Sequence, residues 1–545
     1  MQWFDKFKEW GAKLLQRGAA QAGIAREFKD IFELGGVPAF NQFYNFGIFI
    51  WKWIYRGMYK PWHLIPAPTI ANPKNTRELY RLNAAKAVCA ELASLVWGEE
   101  CGISVSIRGW DEKLNEDTGV KMNPDPLDAF VHKVLRKNAF GEKMQELIEQ
   151  ALALGGASVK VWCEQRRDRA GNIVPDSGEI RLGYCMADQF VPTAWDNARV
   201  TEGVFISRIA KGGYYYTRLE WHKWDGLTYI VTNELYRAEM QKGAKGAESQ
   251  DILGVRWPLA DIYPYLDEET TIPVEESLFA YFRTPIANNL DNNSPLGMSI
   301  YGNALETLHA LDICYDSFVR EFRLGKKRII VPARAVRTVA DPTTGQVRRY
   351  FDPGDETYEA LASDDPNDLK ITDNSVELRV EEHIAALNAF LSILCLQVGF
   401  SASTFSIDQR GGVKTATEVV SEDSKTYKTI KTVQNQLVPA VEHIVRSIID
   451  VAVLYGMEFD GVPVERLIAP GYDVTVTFDD GVTQDRQTNI NEGVMLVGAG
   501  LMSKETFLTD PKYGQGLTPE KARAEIERIN AERGPMAIDL PFTAE

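Results

Sequence analysis

Residues 384–402 read IAALNAFLSILCLQVGFSA, 19 residues without a charge. That length approaches the span of a bilayer core. However, Asn388, Ser392, Gln397 and Ser401 recur along it, and Glu381 and Glu382 rather than Lys or Arg stand before it. A helix apolar nearly all round is also the signature of one buried among other helices. Ile384, Leu387, Leu391, Leu394 and Val398 alternate at spacings of three and four, a seam for helix packing. The stretch therefore predicts a helix from about Glu381 to Phe400 that neighbours must cover, which means an oligomer and no membrane.

The flanks extend that frame. Behind the helix comes a non-helical stretch, 401–414, containing Gln409-Arg410-Gly411-Gly412. Thr415-x-x-Glu418 is a capping box that opens the longest predicted helix, running to Tyr455 over roughly 60 Å. Pro439 lies inside it, where a missing N–H predicts a kink. Ahead of the apolar helix, Ser294-Pro295 reads as a cap with proline in the first turn. The helix it predicts runs to about Leu324 and carries Leu305, Leu308, Leu311, Phe318 and Phe322 on one side. Glu306, Asp312, Asp316 and Arg320 fall elsewhere on it, and Gly325 ends it. Between the two helices sits a compact insert, 326–380, with a basic start at Lys326, Lys327, Arg328, Arg334 and Arg337. Asp341-Pro-Thr-Thr-Gly345 and Asp352-Pro-Gly-Asp355 read as its turns.

The first half is α+β. Residues 1–70 read as helix and aromatic-rich extended chain up to the Pro66-Ala67-Pro68 break, an extension without an assigned place. Asn75-Thr76 predicts a capped helix to about Trp97, and a second helix is expected from Leu127 to Leu154, stopped by Gly155-Gly156. Val204–Ala210, Tyr214–Trp224 and Leu227–Arg237 predict strands of an antiparallel meander, turned at Gly212-Gly213 and Asp225-Gly226. After the long helix, 473–478 alternates as one more strand, and 483–533 reads as helices before a tail without periodicity.

The chain has 545 residues, more than one core sustains, so two to four domains are expected. Sixty Lys and Arg against 76 Asp and Glu leave a formal charge of −16, which excludes a strongly basic groove for nucleic acid. The six cysteines lie far apart without a C-x-x-C pair, the pattern of free thiols in a reducing compartment. The N-terminal MQWFDKFKEW carries acids where a secretory signal needs an apolar core. The aromatic run Phe40–Trp62 is interrupted by Asn41, Asn45, Lys52, Arg56 and Lys60, so it too predicts no membrane span.

Catalytic signatures are missing. Gly411-Gly412-Val413-Lys414-Thr415 departs from a phosphate-binding loop, because Val413 separates Gly from Lys and a helix precedes. The six histidines show no metal-ligand spacing, and no G-x-S-x-G occurs. Asp364-Asp365 and Asp479-Asp480 fall in turn-like sequence. No enzyme, metal or cofactor is expected.

The run from Ser294 (SPLGMSIYGN) through Leu311-Asp312 to FRLGKKRI, ending at Ile329, resembles the tailed-phage portal proteins. Thr415–Ser424, Leu92–Glu99 and Gly516–Ala522 strengthen the likeness, which is nearest to portals of siphophages of Gram-positive hosts and covers roughly 75 to 535. The resemblance implies a portal-type α+β fold. Its β-containing wing is 71–293, its long stem helices 294–325 and 381–400, and its small α/β clip insert 326–380. The tunnel loop is 401–414, a long kinked helix and returning wing strand span 415–482, and a helical C-terminal crown follows at 483–545. It further implies a ring of twelve at one capsid vertex of the virion, assembled in the host cytoplasm, with double-stranded DNA passing through without sequence specificity. Terminase would dock on the clip, then a head-completion or adaptor protein; major capsid and scaffolding proteins would be the other partners. Another head or tail protein without a channel, or a packaging ATPase-nuclease, are the competing readings.

Such a ring carries a formal charge of roughly −190, a field that repels rather than holds DNA. The expected channel wall is acidic or neutral, with Asn388 and Ser392 facing inward. Basic residues are then confined to Arg410 and Lys414 at the loop, where Gln409, Gly411 and Gly412 also face the DNA, and to Lys326, Lys327 and Arg328 near the clip. A helix C-terminus also favours cations, and plain solvent exposure accounts equally for Arg410 and Lys414. Both readings stand open.

Overall fold

A computed structural model of the chain describes residues 42–68, 72–98, 101–110, 125–168, 172–174, 177–196, 199–240, 253–291, 294–325, 328–330, 337–340, 347–350, 372–374, 377–402, 404–407, 416–478, 486–510, 513 and 519–532. Helix α1 (Gln42–Tyr55) and the short α2 (Lys60–His63) lead into a two-stranded ribbon, β1 (Leu64–Pro66) and β2 (Thr76–Glu78). Ile48, Ile50, Trp51, Ile54 and Tyr59 are buried in the main core. So residues from 42 onward belong to the body and are not an extension beside it.

Helix α3 (Ala84–Val96) starts later than Asn75-Thr76 suggested. The reason is tertiary: the Tyr80 and Leu82 N–H groups bond to the Asp316 and Asp312 carboxylates, which keep the chain before Ala84 out of the helix. Strand β3 (Cys101–Ile107) follows, then α4 (Pro126–Lys137), capped by the Asp125 side chain, and α5 (Phe140–Leu154). The single helix expected over 127–154 is thus two, because Ala139 takes a left-handed conformation at φ 48°. Asn138 at the break uses its amide like a peptide unit. Its Nδ2 donates to the Ile180 carbonyl at 3.0 Å and its Oδ1 accepts from the Leu182 N–H at 3.0 Å. Those groups lie on β5 (Glu179–Met186), the outer strand of a three-stranded sheet whose centre is β4 (Gly156–Glu164).

The meander is present. Strands β6 (Phe190–Asp196), β7 (Arg199–Lys211), β8 (Tyr214–Asp225) and β9 (Thr228–Glu239) pair antiparallel in sequence order, turning at Gly212-Gly213 and Gly226-Leu227. β10 (Val255–Trp257) and β11 (Glu269–Ile272) both pair with β9. β12 (Phe279–Arg283) returns to pair with β4. One face of the meander packs on that smaller sheet through Phe190, Phe205 and Phe279. A charged group lies buried at this junction. Glu220 of β8 contacts Lys160 of β4, meets Arg218 at 2.5 Å and His222 at 3.1 Å, and all four side chains are under a fifth exposed.

Residues 294–304 are not helical, against the reading of Ser294-Pro295 as a helix start; α6 runs from Leu305 to Leu324. The stretch instead threads the core. Leu296, Met298, Ile300 and Tyr301 are buried, the Ile300 N–H bonds to the Leu152 carbonyl at 2.9 Å, and Thr284 Oγ1 donates to the Met298 carbonyl at 2.5 Å. A side chain at Gly297 would collide with the Gly155 carbonyl and Thr284. Close packing of backbone on backbone wins over local cap chemistry.

Two hairpin-like pairs come next: β13 (Arg328–Ile330) with β16 (Thr372–Asn374), and β14 (Arg337–Ala340) with β15 (Val347–Tyr350). Helix α7 (Val380–Val398) lies against α6, and α8 (Ala416–Leu454) is the longest helix, 39 residues or about 58 Å. Pro439 sits on its exposed face, while Val433, Leu437, Val441, Ile444 and Val445 on the other face are buried against the sheet and α3. A minimal pair, β17 (Glu458–Phe459) and β18 (Val462–Pro463), and α9 (Val464–Ile468) precede β19 (Tyr472–Phe478), which pairs with β3 over seven positions. The chain closes with α10 (Arg486–Gly498), α11 (Lys504–Thr509) and α12 (Pro519–Glu532).

Asp450 of α8 gives a pH-dependent expectation. Burial first, and then the Glu276 and Glu275 carboxylates, outweigh the pull of His443 and Arg446 and push its carboxyl up to about 6. In an unfolded chain the same group titrates near ~3.9. The folded state therefore pays a penalty above pH 6, which fades as the pH falls and is gone near pH 4. Asp450→Asn is expected to raise the melting temperature by roughly 1–2 °C at pH 8 and to leave it nearly unchanged at about pH 3.5. Calorimetry at the two pH values checks it.

Candidate functional site

The pair α6 and α7 carries the feature that the uncharged sequence announced, but with its faces reversed. The seam of Leu387, Leu391, Leu394 and Val398, with Cys395, points into this chain's own core. A second stripe of α7, made by Ala385, Ala389, Ile393 and Leu396, is exposed. Ile393 is 45% and Leu396 66% accessible; on α6, Ile313 is 46% and Phe322 47% accessible. The α7 side chains, aligned on one helix face at this exposure, mark a contact surface.

The free ends of the pair are pinned together. The Arg379 guanidinium grips the Glu321 carboxylate through Nε at 3.2 Å and Nη2 at 3.0 Å, and Phe318 packs on Phe322 and on the His383 ring. That grip holds the Glu321 carboxyl below the ordinary range. Beyond it the strands of the 326–380 insert begin. Arg328 opens β13 opposite Asn374, and Arg337 opens β14 opposite Tyr350. Register also places Arg348 and Arg349 on β15, facing Val339 and Thr338, a basic pair that reading the insert's start alone missed. Lys326, Lys327 and Arg334 lie outside the described residues.

Two acids on α6, read from the sequence only as charges off the apolar side, are buried instead. Asp316 is 3% exposed and takes both guanidinium nitrogens of Arg77, at 2.7 and 2.6 Å. Asp312, one turn earlier, is 8% exposed and meets His63 Nε2 at 2.8 Å. Burial alone would raise the Asp316 carboxyl, but the Arg77 hydrogen bonds outweigh it and hold it low. The β1–β2 ribbon is thereby lashed to the helix pair. The signal was present: two aspartates at i and i+4 amid leucines need partners when buried.

At the other end of α7 the chain leaves through Gly399, whose φ of 91° suits glycine and whose missing Cβ leaves room for Thr429 Oγ1. Asn388 and Ser392 turn their oxygens to this chain's own backbone. Asn388 Oδ1 accepts from the Ile407 N–H at 2.9 Å, and Ser392 Oγ donates to the carbonyls of Asn388 at 2.9 Å and Ala402 at 3.4 Å. Gln409, Arg410, Gly411, Gly412 and Lys414 lie outside the described residues. Among the described residues no group of acids, histidines and cysteines is placed to hold a metal, and no helix is long and apolar enough to cross a membrane.

Paired helices with an uncovered apolar stripe, a β insert at one end and a very long helix at the other are the features of a protein that assembles with others. The comparison with protein families says which: residues 52–534 match the family described as phage portal protein, SPP1 Gp6-like. The chain belongs to that family. No curated protein matches it. The protein is therefore a phage portal, a component of the virion capsid and head–tail connector that serves DNA packaging. It is built into an oligomeric ring and works with capsid and terminase partners.

Proposed function

We propose that twelve copies close into a ring at one capsid vertex, and that the stripe of Ile393 and Leu396 meets the neighbouring subunit. The supporting observation is the exposure of that stripe on a helix whose other face is already committed to the core. DNA passes along the axis lined by the stem. The net charge of −16 per chain keeps the duplex from settling on the wall, since a wall rich in Lys and Arg would release counterions and bind it tightly. Residues Gln409 to Lys414 approach the duplex most closely in this reading, with Arg410 and Lys414 supplying a narrow basic ring. The insert carrying Lys326, Lys327, Arg328, Arg334 and Arg337 is the docking platform, first for the packaging motor and then for a head-completion or adaptor protein. Assembly takes place in the host cytoplasm, together with major capsid and scaffolding proteins.

Negative-stain or cryo-electron microscopy of the purified chain tests this. Annular particles with a central hole and twelvefold symmetry are expected, with a mass of about 730 kDa, twelve times the 61.2 kDa chain. Solid particles, or persistent monomers at micromolar concentration, overturn it. A channel map with a continuous basic lining would contradict the sliding argument.

A further inference from the structure

The outer sheet edges of this chain are closed in several ways, and one is left open. Asn138 occupies the edge of β5. On β3 the Val105 N–H donates to Asp128 Oδ1 at 2.8 Å and the Ile107 N–H to Asp125 Oδ2 at 2.7 Å, while His132 Nε2 meets the Ile103 carbonyl at 2.9 Å. β6 carries Pro192 and a shift of register. β10 and β11, which flank β9, are three and four residues long. Such devices keep foreign strands off an edge. Among the described strands of more than five residues, β19 alone shows none of them. It has no proline, and its register with β3 is unbroken over seven positions, a length of about 23 Å.

The direction of its free groups follows from its partner. The Arg108 N–H bonds to the Gly471 carbonyl at 2.9 Å, and the Val105 and Ile107 N–H groups leave toward α4, so β3 bonds β19 through Asp473, Thr475 and Thr477. The N–H and C=O groups of Tyr472, Val474, Val476 and Phe478 therefore point away from β3, and no described group takes them. Along the strand Asp473, Thr475 and Thr477 are exposed, and Tyr472, Val474 and Phe478 are half-buried.

We propose that the outer edge of β19 accepts an extended segment of another head protein, as a third strand beside β3 and β19. The proposal rests on the portal reading above. A second copy of this chain does not fit the role. Closed rings use head-to-tail contacts, which cannot pair β19 with β19, and no other described strand of more than five residues has an open edge to offer. Charge narrows the partner further. Asp473, the one charged residue on the strand, is closed by Arg108 through Nε at 3.1 Å and Nη2 at 2.8 Å, so the edge is neutral. It suits an uncharged strand, apolar on the side of Val474 and Val476 and hydroxyl-bearing beside Thr475 and Thr477. Main-chain bonds supply the affinity, and the alternation sets the register.

Amide exchange of the full-length chain tests this, first in isolated rings and then in phage heads that carry them. In isolated rings the Val474 and Val476 amides are expected to exchange about a hundredfold faster than those of Thr475 and Thr477; in heads they should slow about tenfold. Unchanged exchange in heads overturns the proposal. So does protection already complete in isolated rings, which assigns the edge to a neighbouring copy. Val474→Pro removes an outward N–H and sets ring atoms in its place, which an edge strand tolerates, whereas Val474→Ala keeps the N–H. The proline variant should form rings but yield about fivefold fewer heads that contain them, with alanine at the wild-type level. Heads at the wild-type level from the proline variant, or loss of rings from a folded one, contradict the assignment. If proline unfolds the chain, its melting temperature reports it, and the exchange comparison on the wild-type chain decides. Failure of the portal reading is distinguishable, because it shows in the wild-type chain as particles without a hole.

Discussion

Replacing Ile393 and Leu396 together by Asp is expected to abolish ring formation while leaving the single chain folded. Both side chains lie on the uncovered stripe of α7, 45% and 66% accessible, so the change adds no charge to the chain's own core. In a ring the same positions would be covered, and each buried, unpaired carboxylate would cost several kcal/mol at every contact. Obligate contacts of this class bury upwards of roughly 2,000 Å² and are largely apolar, so two central charges outweigh what the rim can offer. Sedimentation should show one species near 61.2 kDa, with helical circular dichroism and melting temperature close to the unmutated monomer. Intact rings would assign the stripe to the channel or to another partner. The superficially similar Leu391→Asp cannot serve as this test. Leu391 is 8% exposed and faces inward, so its loss of rings would follow from a broken subunit.

Glu220→Gln is the second large effect. Burial alone would raise the Glu220 carboxyl, but Lys160, His222 and Arg218 outweigh that and hold it well below the ordinary carboxylate range. Neutralising it leaves two cations, each under a fifth exposed, without their counter-charge at the junction of the two sheets. Removing one partner of a buried pair costs about 3–5 kcal/mol. The pH dependence has a definite sign. A carboxyl with a depressed folded pKa contributes stability that is present above ~4.3 and is lost as the pH falls through the folded value. Denaturant unfolding should therefore show the wild-type advantage in full at pH 7 and shrinking below pH 4. An advantage that persists undiminished at pH 2, or a variant as stable as wild type at pH 7, would remove Glu220 from the account of what joins the sheets.

Much of this fold is written locally in the sequence. The turn at Gly212-Gly213, the turn expected at Asp225-Gly226 and found one residue on at Gly226-Leu227, the stop at Gly155, the 39-residue helix and the strand at 472–478 all rest on short-range chemistry. What local reading missed has a common cause. Ser294-Pro295 has the form of a helix start, yet 294–304 is not helical, because the Ile300 N–H takes the buried Leu152 carbonyl and Gly297 packs closely on the Gly155 carbonyl. Asn75-Thr76 caps nothing because Asp312 and Asp316, more than 230 residues away, claim the N–H groups after it. The candidate site was legible in kind and not in orientation. An uncharged helix says that both faces will be covered. It does not say that Leu391 is buried in the subunit while Ile393 is exposed, since both are aliphatic and two positions apart.

The amide of Asn138, bonded along the outer strand of the three-stranded sheet, has a consequence that only the crowded state makes visible. A naked sheet rim invites any passing chain to add itself, and subunits held shoulder to shoulder present many such rims at very high local concentration. With Nδ2 and Oδ1 already occupying the carbonyl of Ile180 and the N–H of Leu182, that rim offers no template there. A single carboxamide thereby removes one place where a strand from a neighbour could add itself edge to edge.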